Sequence, residues 1–169
     1  MQLDEAKEQF IQTWGTLGSN WGINRTMAQI HALLLISHKA LSADEVMERL
    51  SLSRGNTNMN TRELIAWGLV RKELKMGDRK EYFFAEKDIF TVVQCIIRER
   101  KKRELDPLRR ALEGMTENLE GDTNSEDMKL YKQVVSEIKD LTGTADKVLT
   151  YTANAEKNWF FKQFLKLFS

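Results

Sequence analysis

Two helix starts stand only eleven residues apart near the middle of this chain, at Ser42 and Ser53, and that spacing limits the fold more than any other feature. In Ser42-Ala43-Asp44-Glu45 a hydroxyl is followed three residues later by a carboxylate. Each of those side chains can satisfy a backbone N–H that the first helical turn leaves unpaired. Val46, Met47 and Leu50 then form an apolar stripe. Leu50-Ser51-Leu52-Ser53 leaves room for a short turn, and Ser53 can cap a second helix that runs to about Trp67. Gly68 ends it, as glycine does after a last helical turn. Leu69 to Leu74 and Lys80 to Ala85 read as two short strands, with Met76-Gly77-Asp78-Arg79 as the turn of a hairpin. Upstream, Thr26 to Ser37 is apolar on most sides (Met27, Ile30, Leu33, Leu34, Ile36), the mark of a helix central to a small core.

Helix, helix, short turn, helix and hairpin in that order make a winged helix-turn-helix. The major groove of DNA admits one helix, and a short turn lets a second helix brace it from behind. The third helix then needs a polar outer face, and Arg54, Asn56, Asn58 and Arg62 supply one, with Ser53 at its start. Arginine can pair with guanine O6 and N7, and asparagine with adenine N6 and N7. Leu64 and Ile65 are expected to face inward, and Thr57, Asn60 or Thr61 to fill the crossing between the two helices. Gly55 costs about 1 kcal/mol against alanine inside a helix. Two readings stand: its bare backbone approaches a phosphate, or it gives a weak first turn or clearance to a neighbouring helix. Arg79 and Lys80 at the hairpin tip are placed to reach the minor groove or its flanking phosphates.

A single proline and nine glycines favour long uninterrupted helices elsewhere. Glu5 to Leu17 carries Phe10, Trp14 and Leu17 at helical spacing, with Gly15 and Gly18 weakening its end and residues 19–24 forming a loop. Lys87 to Leu119 is one helical stretch that Pro107 interrupts, so two helices are expected to meet near Asp106. Ser125 to Leu141 is another helix, Gly143-Thr144 a break, and Glu156 to Phe168 a last helix. The expected fold is mainly α: a winged helix-turn-helix domain with N- and C-terminal helices forming a dimerisation region. The expected divisions are an N-terminal helix at 1–25, the DNA-binding domain at 26–86 and a C-terminal helical region at 87–169.

The net charge of +1 gives no hint of a nucleic-acid partner, but its distribution does. From Arg49 to Lys80 there are eight basic residues against three acidic ones. Local sign governs contact with a partner that touches one face. A second run, Arg98-Glu99-Arg100-Lys101-Lys102-Arg103, either lies over phosphates or is a solvated helix face. Cys95 stands alone and fits a reducing compartment. Its apolar neighbours mark it as a small core residue. With a charged N-terminus and no apolar run near the roughly 20 residues of a membrane span, the expected location is cytoplasmic. His31 and His38 are seven apart, and no third ligand sits at matching spacing, so no metal site is expected. There is no Gly-rich phosphate loop, no paired histidines and no His-Glu metal spacing, which argues against an enzyme and for no cofactor. A winged helix that binds proteins instead of DNA is the competing reading; it would not need guanidinium and amide groups on its third helix.

Leu41-Ser42-Ala43-Asp44-Glu45-Val46, Leu50-Ser51-Leu52-Ser53-Arg54-Gly55-Asn56 and Trp67-Gly68-Leu69-Val70 resemble a MarR-type DNA-binding domain. The blocks Met59-Asn60-Thr61-Arg62-Glu63-Leu64 and Gly77-Asp78-Arg79-Lys80-Glu81-Tyr82-Phe83 are closer to the GbsR branch, repressors connected with glycine betaine synthesis and uptake. The likeness covers residues 5 to 110. It implies double-stranded DNA as partner, a homodimer, a recognition helix at Ser53 to Trp67 and a wing at Lys75 to Lys80. A lone winged helix reads few base pairs, so such proteins pair on two half-sites. Phe10, Trp14, Trp159, Phe160 and Phe164 are the candidates for the seam. Some GbsR-type repressors bind choline. Trp14, Trp21 and Trp159 are candidates for an aromatic cage around such a quaternary ammonium effector, and packing within the chain is the other use of these rings.

Overall fold

The computed structural model describes residues 1–115 and 125–155. The element order is α1 (Leu3–Asn20), α2 (Arg25–Ile36), β1 (Leu41–Ser42), α3 (Ala43–Leu50), α4 (Arg54–Ala66), β2 (Val70–Leu74), β3 (Glu81–Ala85), α5 (Ile89–Arg100), a π-helical turn (Lys101–Leu105), α6 (Asp106–Gly114) and α7 (Glu126–Asn154). Two compact units divide the chain, Met1–Val92 and Val93–Ser169.

In the first unit α2 is the hub. Met27, Ile30, Leu33 and Leu34 are buried, and α2 packs on α1, α3, α4 and β3. Leu41, Val46, Leu64 and Phe83 close the core around it. The sheet has the order β1-β3-β2 and is antiparallel throughout, with Leu41 opposite Phe83 and Val70 opposite Ala85. The two-residue strand β1 has no counterpart in the sequence reading, because two residues are too few to show a period. It fastens the start of α3 to the hairpin.

The capping signals act as the sequence indicates. Ser42 Oγ accepts from the Glu45 N–H, and the Glu45 carboxylate accepts from the Ser42 N–H at 2.7 Å. Those bonds hold the Glu45 carboxyl below its usual range, the Ser42 backbone N–H being the largest cause. At the end of α4, Gly68 takes φ +75° while its N–H reaches Ile65 O and the Leu69 N–H reaches Leu64 O. That is the double-bonded helix ending for which glycine is suited. Ser51 fills the equivalent left-handed position after α3, with φ 51°. It tightens the turn to α4 at the cost of placing a β-carbon where glycine is preferred.

Two glycine readings need correction. Gly15 and Gly18 do not weaken α1, which continues to Asn20. A Cβ at Gly18 would stand 2.6 Å from Ala28 Cβ, and one at Gly15 2.7 Å from Gln29 Cγ. These glycines let α1 approach α2 closely, and the packing gained outweighs about 1 kcal/mol of propensity each. Gly143-Thr144 does not break the chain either; α7 runs through it for 29 residues. Thr142 and Thr144 hydroxyls donate to carbonyls one turn back, at Ile138 and Asp140, without leaving the helix.

In the second unit the strain expected at Pro107 is taken up by the π turn. Proline has no N–H to give and its ring clashes with the preceding turn. The chain widens over Lys101–Leu105, and α6 then starts with Pro107 in its first turn, where proline is tolerated. Lys101 lies 2.9 Å from both Asp106 and Asp146, and Arg109 is 3.0 Å from Asp146. Arg100 pairs with Glu104 and Arg103 with Glu99. Most of the basic run from Arg98 to Arg103 is therefore engaged inside this unit. The segment 156–168 expected as a last helix lies outside the described residues, with Trp159, Phe160 and Phe164.

Candidate nucleic-acid interface

The face that α4 turns away from the core carries the expected side chains. Thr57, Asn60 and Thr61 are buried at 0 to 1% exposure, on the side that meets α2 and α3. The same helix leaves Arg54, Asn58 and Arg62 exposed on the opposite side. That division follows from 3.6-residue periodicity: positions 54, 58 and 62 share one face, and 57, 61 and 64 share another. The Thr61 hydroxyl donates to the Thr57 carbonyl at 2.7 Å, so it can sit in an apolar crossing with its polar group satisfied.

The other expected contacts are divided. Ser53 is the N-cap, its Oγ accepting from the Asn56 N–H at 3.3 Å. The Asn56 Oδ1 accepts from Asn60 Nδ2 at 2.7 Å, which leaves its own amide N–H₂ for a partner. Asn58 and Arg62 line a shallow cleft with Thr61, Ile65, Lys72, Glu81 and Phe83, where α4 faces the hairpin. Arg62 forms no ion pair among the described residues, so its five donors are available. A Cβ at Gly55 would meet nothing within 4 Å, which removes helix–helix clearance as its purpose and leaves an open backbone at the start of α4.

The wing is held from its own tip. Asp78 Oδ1 accepts from the Lys80 N–H at 2.9 Å and Oδ2 from the Tyr82 hydroxyl at 2.7 Å. The Lys80 N–H, as the largest cause, keeps the Asp78 carboxyl below its usual range. Gly77 supplies φ +81°, and Lys75 Nζ stands 3.7 Å from the centre of the Tyr82 ring. Arg79 and Lys80 are left exposed at the tip. Cation, ordered backbone and open approach are what a phosphate or a narrow minor groove requires.

Three residues escaped the sequence reading. Met59 is 58% exposed on α4 beside Asn58 and suits contact with a thymine methyl group. Its signal, an apolar residue on the polar side of a helix, is visible but common. Asp78 looks like one more turn acid until its two hydrogen bonds are seen. Asp44 has no local signal, because its partners are Arg54 and Lys80.

Of the aromatic candidates, Trp14 lies on α1 and Trp21 just after it. Trp14 stacks on Phe10 with centroids 5.5 Å apart and lies 6.2 Å from the His31 ring. Trp21 is 58% exposed at the end of α1. Seven residues of helix separate it from Trp14 by about 10 Å.

Residues 21–81 match the MarR family. The HTH-type transcriptional repressor GbsR of Bacillus subtilis (strain 168) is 24% identical over 143 residues, with 79% of each chain covered. A crystal structure of a transcriptional regulator superposes with a TM-score of 0.66 at 19% identity, covering 88% of this chain and 95% of the other. That match shows a shared fold.

Proposed function

We propose that this chain, whose residues 21–81 match the MarR family and which is similar to the GbsR repressor, is a winged helix-turn-helix transcriptional regulator that acts as a homodimeric repressor on a pseudo-palindromic operator. The observation that carries the reading is the two-sided character of α4: polar groups without obvious structural duty outward, threonines and Asn60 buried inward. Arg62 and Asn58 read base edges in the major groove. Ser53, Arg54 and Asn56 fix the start of the helix against the backbone, and Arg79 and Lys80 take the flanking groove.

The pairing of two copies has support in α7. Tyr131, Val134, Ile138 and Leu141 recur at spacings of three and four, Val148 follows seven residues after Leu141, and Leu141 and Val148 are 70% and 58% exposed. That is the a/d repeat of a helix seam. Phe10 and Trp14, and Trp159, Phe160 and Phe164 outside the described residues, are assigned to contacts with the second copy as well. Sedimentation at micromolar concentration should give twice the chain mass of 19.7 kDa; a single 19.7 kDa species removes the dimer. A choline-like effector belongs to the same reading, with Trp14, Trp21 and Trp159 as its candidate aromatic residues, and calorimetry without heat on adding choline rejects it.

Footprinting on the region upstream of the chain's own gene tests the whole proposal. Two protected half-sites are expected, about one helical turn or a multiple of it apart. Absence of any protected pair contradicts it.

A further inference from the structure

Asp44 is the residue on this face that DNA contact leaves unexplained. It lies in the first turn of α3, with its side chain half exposed. One carboxylate oxygen is 3.5 Å from Arg54 Nη2, and the other is 3.1 Å from Lys80 Nζ. A single acid thus holds two of the cations assigned to DNA, one from the start of α4 and one from the wing.

Neither folding nor capping calls for this arrangement. The start of α3 is already satisfied by Ser42 and Glu45. Exposed ion pairs add little to stability. A carboxylate that holds these two cations competes with phosphate for them, and that competition acts on every sequence alike. Arg62 and Arg79 carry no ion pair among the described residues, so the restraint falls on one pair of cations and spares the base-reading arginine.

We infer that Asp44 is an internal substitute for a DNA phosphate, and a specificity-determining residue. It rests on the DNA reading above. In the free protein it binds Arg54 and Lys80 together and sets the wing against the helix-turn-helix. A duplex must displace it before those cations reach phosphates. Sites that also offer base contacts to Asn58 and Arg62 overcome the competition, and mixed sequence does so poorly.

Fluorescence anisotropy of the full chain on a labelled mixed-sequence duplex and on its preferred operator tests this at low salt. Asp44→Asn should bind the mixed duplex roughly threefold to tenfold more tightly, with a smaller gain on the operator. In the Arg54→Ala/Lys80→Ala background the same substitution should change nothing, because the carboxylate then holds nothing. Asp44→Ser, which shortens the side chain, should repeat the gain and guards against a folding artefact of one variant. Unchanged or weaker binding by both variants overturns the inference. So does a gain that persists without Arg54 and Lys80, which would make Asp44 a general repulsive charge. A wild-type chain that binds neither duplex overturns the DNA reading itself.

Discussion

Acidification from pH 6.5 to 4 is expected to remove about 3 kcal/mol of stability from the first unit, through His31. His31 lies on α2 at 3% exposure beside the Trp14 ring, and its Nε2 has no hydrogen-bond partner. Burial, and secondarily the positive charge of Lys87, push its pKa from 6.5 down to about 4. The folded histidine therefore stays neutral while the unfolded one takes up a proton. Stability is full above pH 6.5, is lost as pH falls toward 4, and then levels off for this group. The Glu45 and Asp78 carboxyls, held below their usual ranges, withdraw stability only at lower pH. Urea unfolding at pH 7 and pH 5 isolates the histidine: a difference of roughly 2 kcal/mol is expected. His31→Phe should erase most of it. Equal stability at the two pH values, or an unchanged slope in His31→Phe, would refute the assignment.

Lys87→Met should destabilise the same unit by about 2 to 3 kcal/mol. Its ammonium group donates to three carbonyls at the end of α2: Leu34 at 2.6 Å, Leu35 at 2.8 Å and Ser37 at 2.7 Å. It also stands 4.7 Å from the centre of the Phe84 ring. No basic residue lies in the last turn of α2, so a lysine some fifty residues away supplies the cation that the helix end favours. Burial lowers the Lys87 pKa, a cost the three bonds offset. Methionine keeps the apolar stem and leaves the carbonyls without their donor. Lys87→Arg should rescue little, since a planar fork cannot aim at three converging acceptors as an ammonium group does. A loss under about 0.5 kcal/mol for Lys87→Met would show that water replaces the lysine freely.

The parts of this protein that were legible in its sequence are those encoded within a few residues. The Ser42–Glu45 box, the Ser53 cap, Gly68 and the hairpin turn at Gly77 each act within one turn of helix or strand, and each is where its residues indicated. The two faces of α4 followed from periodicity alone. What stayed hidden depends on distance. The partners of Asp44 lie ten and thirty-six positions further on, and those of Lys87 about fifty positions earlier. Glycine was ambiguous for a related reason. Gly15 and Gly18 carry a local helix penalty, and only the approach of Ala28 and Gln29 shows what offsets it. The capped turn was sufficient to locate the winged helix-turn-helix, whereas the ion pairs of Asp44 had to be read in three dimensions.

Equilibrium binding of the Arg54→Ala/Arg62→Ala chain to the operator duplex, beside the wild type at low salt, tests the central claim most directly. Arg62 has an exposed guanidinium on the outer face of α4 with no ion pair among the described residues, so its loss should cost about 1–3 kcal/mol on the operator and relax the choice of base at one position. If Arg54 holds a phosphate, as proposed, its loss should weaken binding to all sequences alike. The double variant should bind the operator more weakly by about the sum of the two losses and prefer it over mixed sequence by a smaller margin than the wild type. Full affinity and full sequence preference in the double variant would contradict α4 as the reading helix.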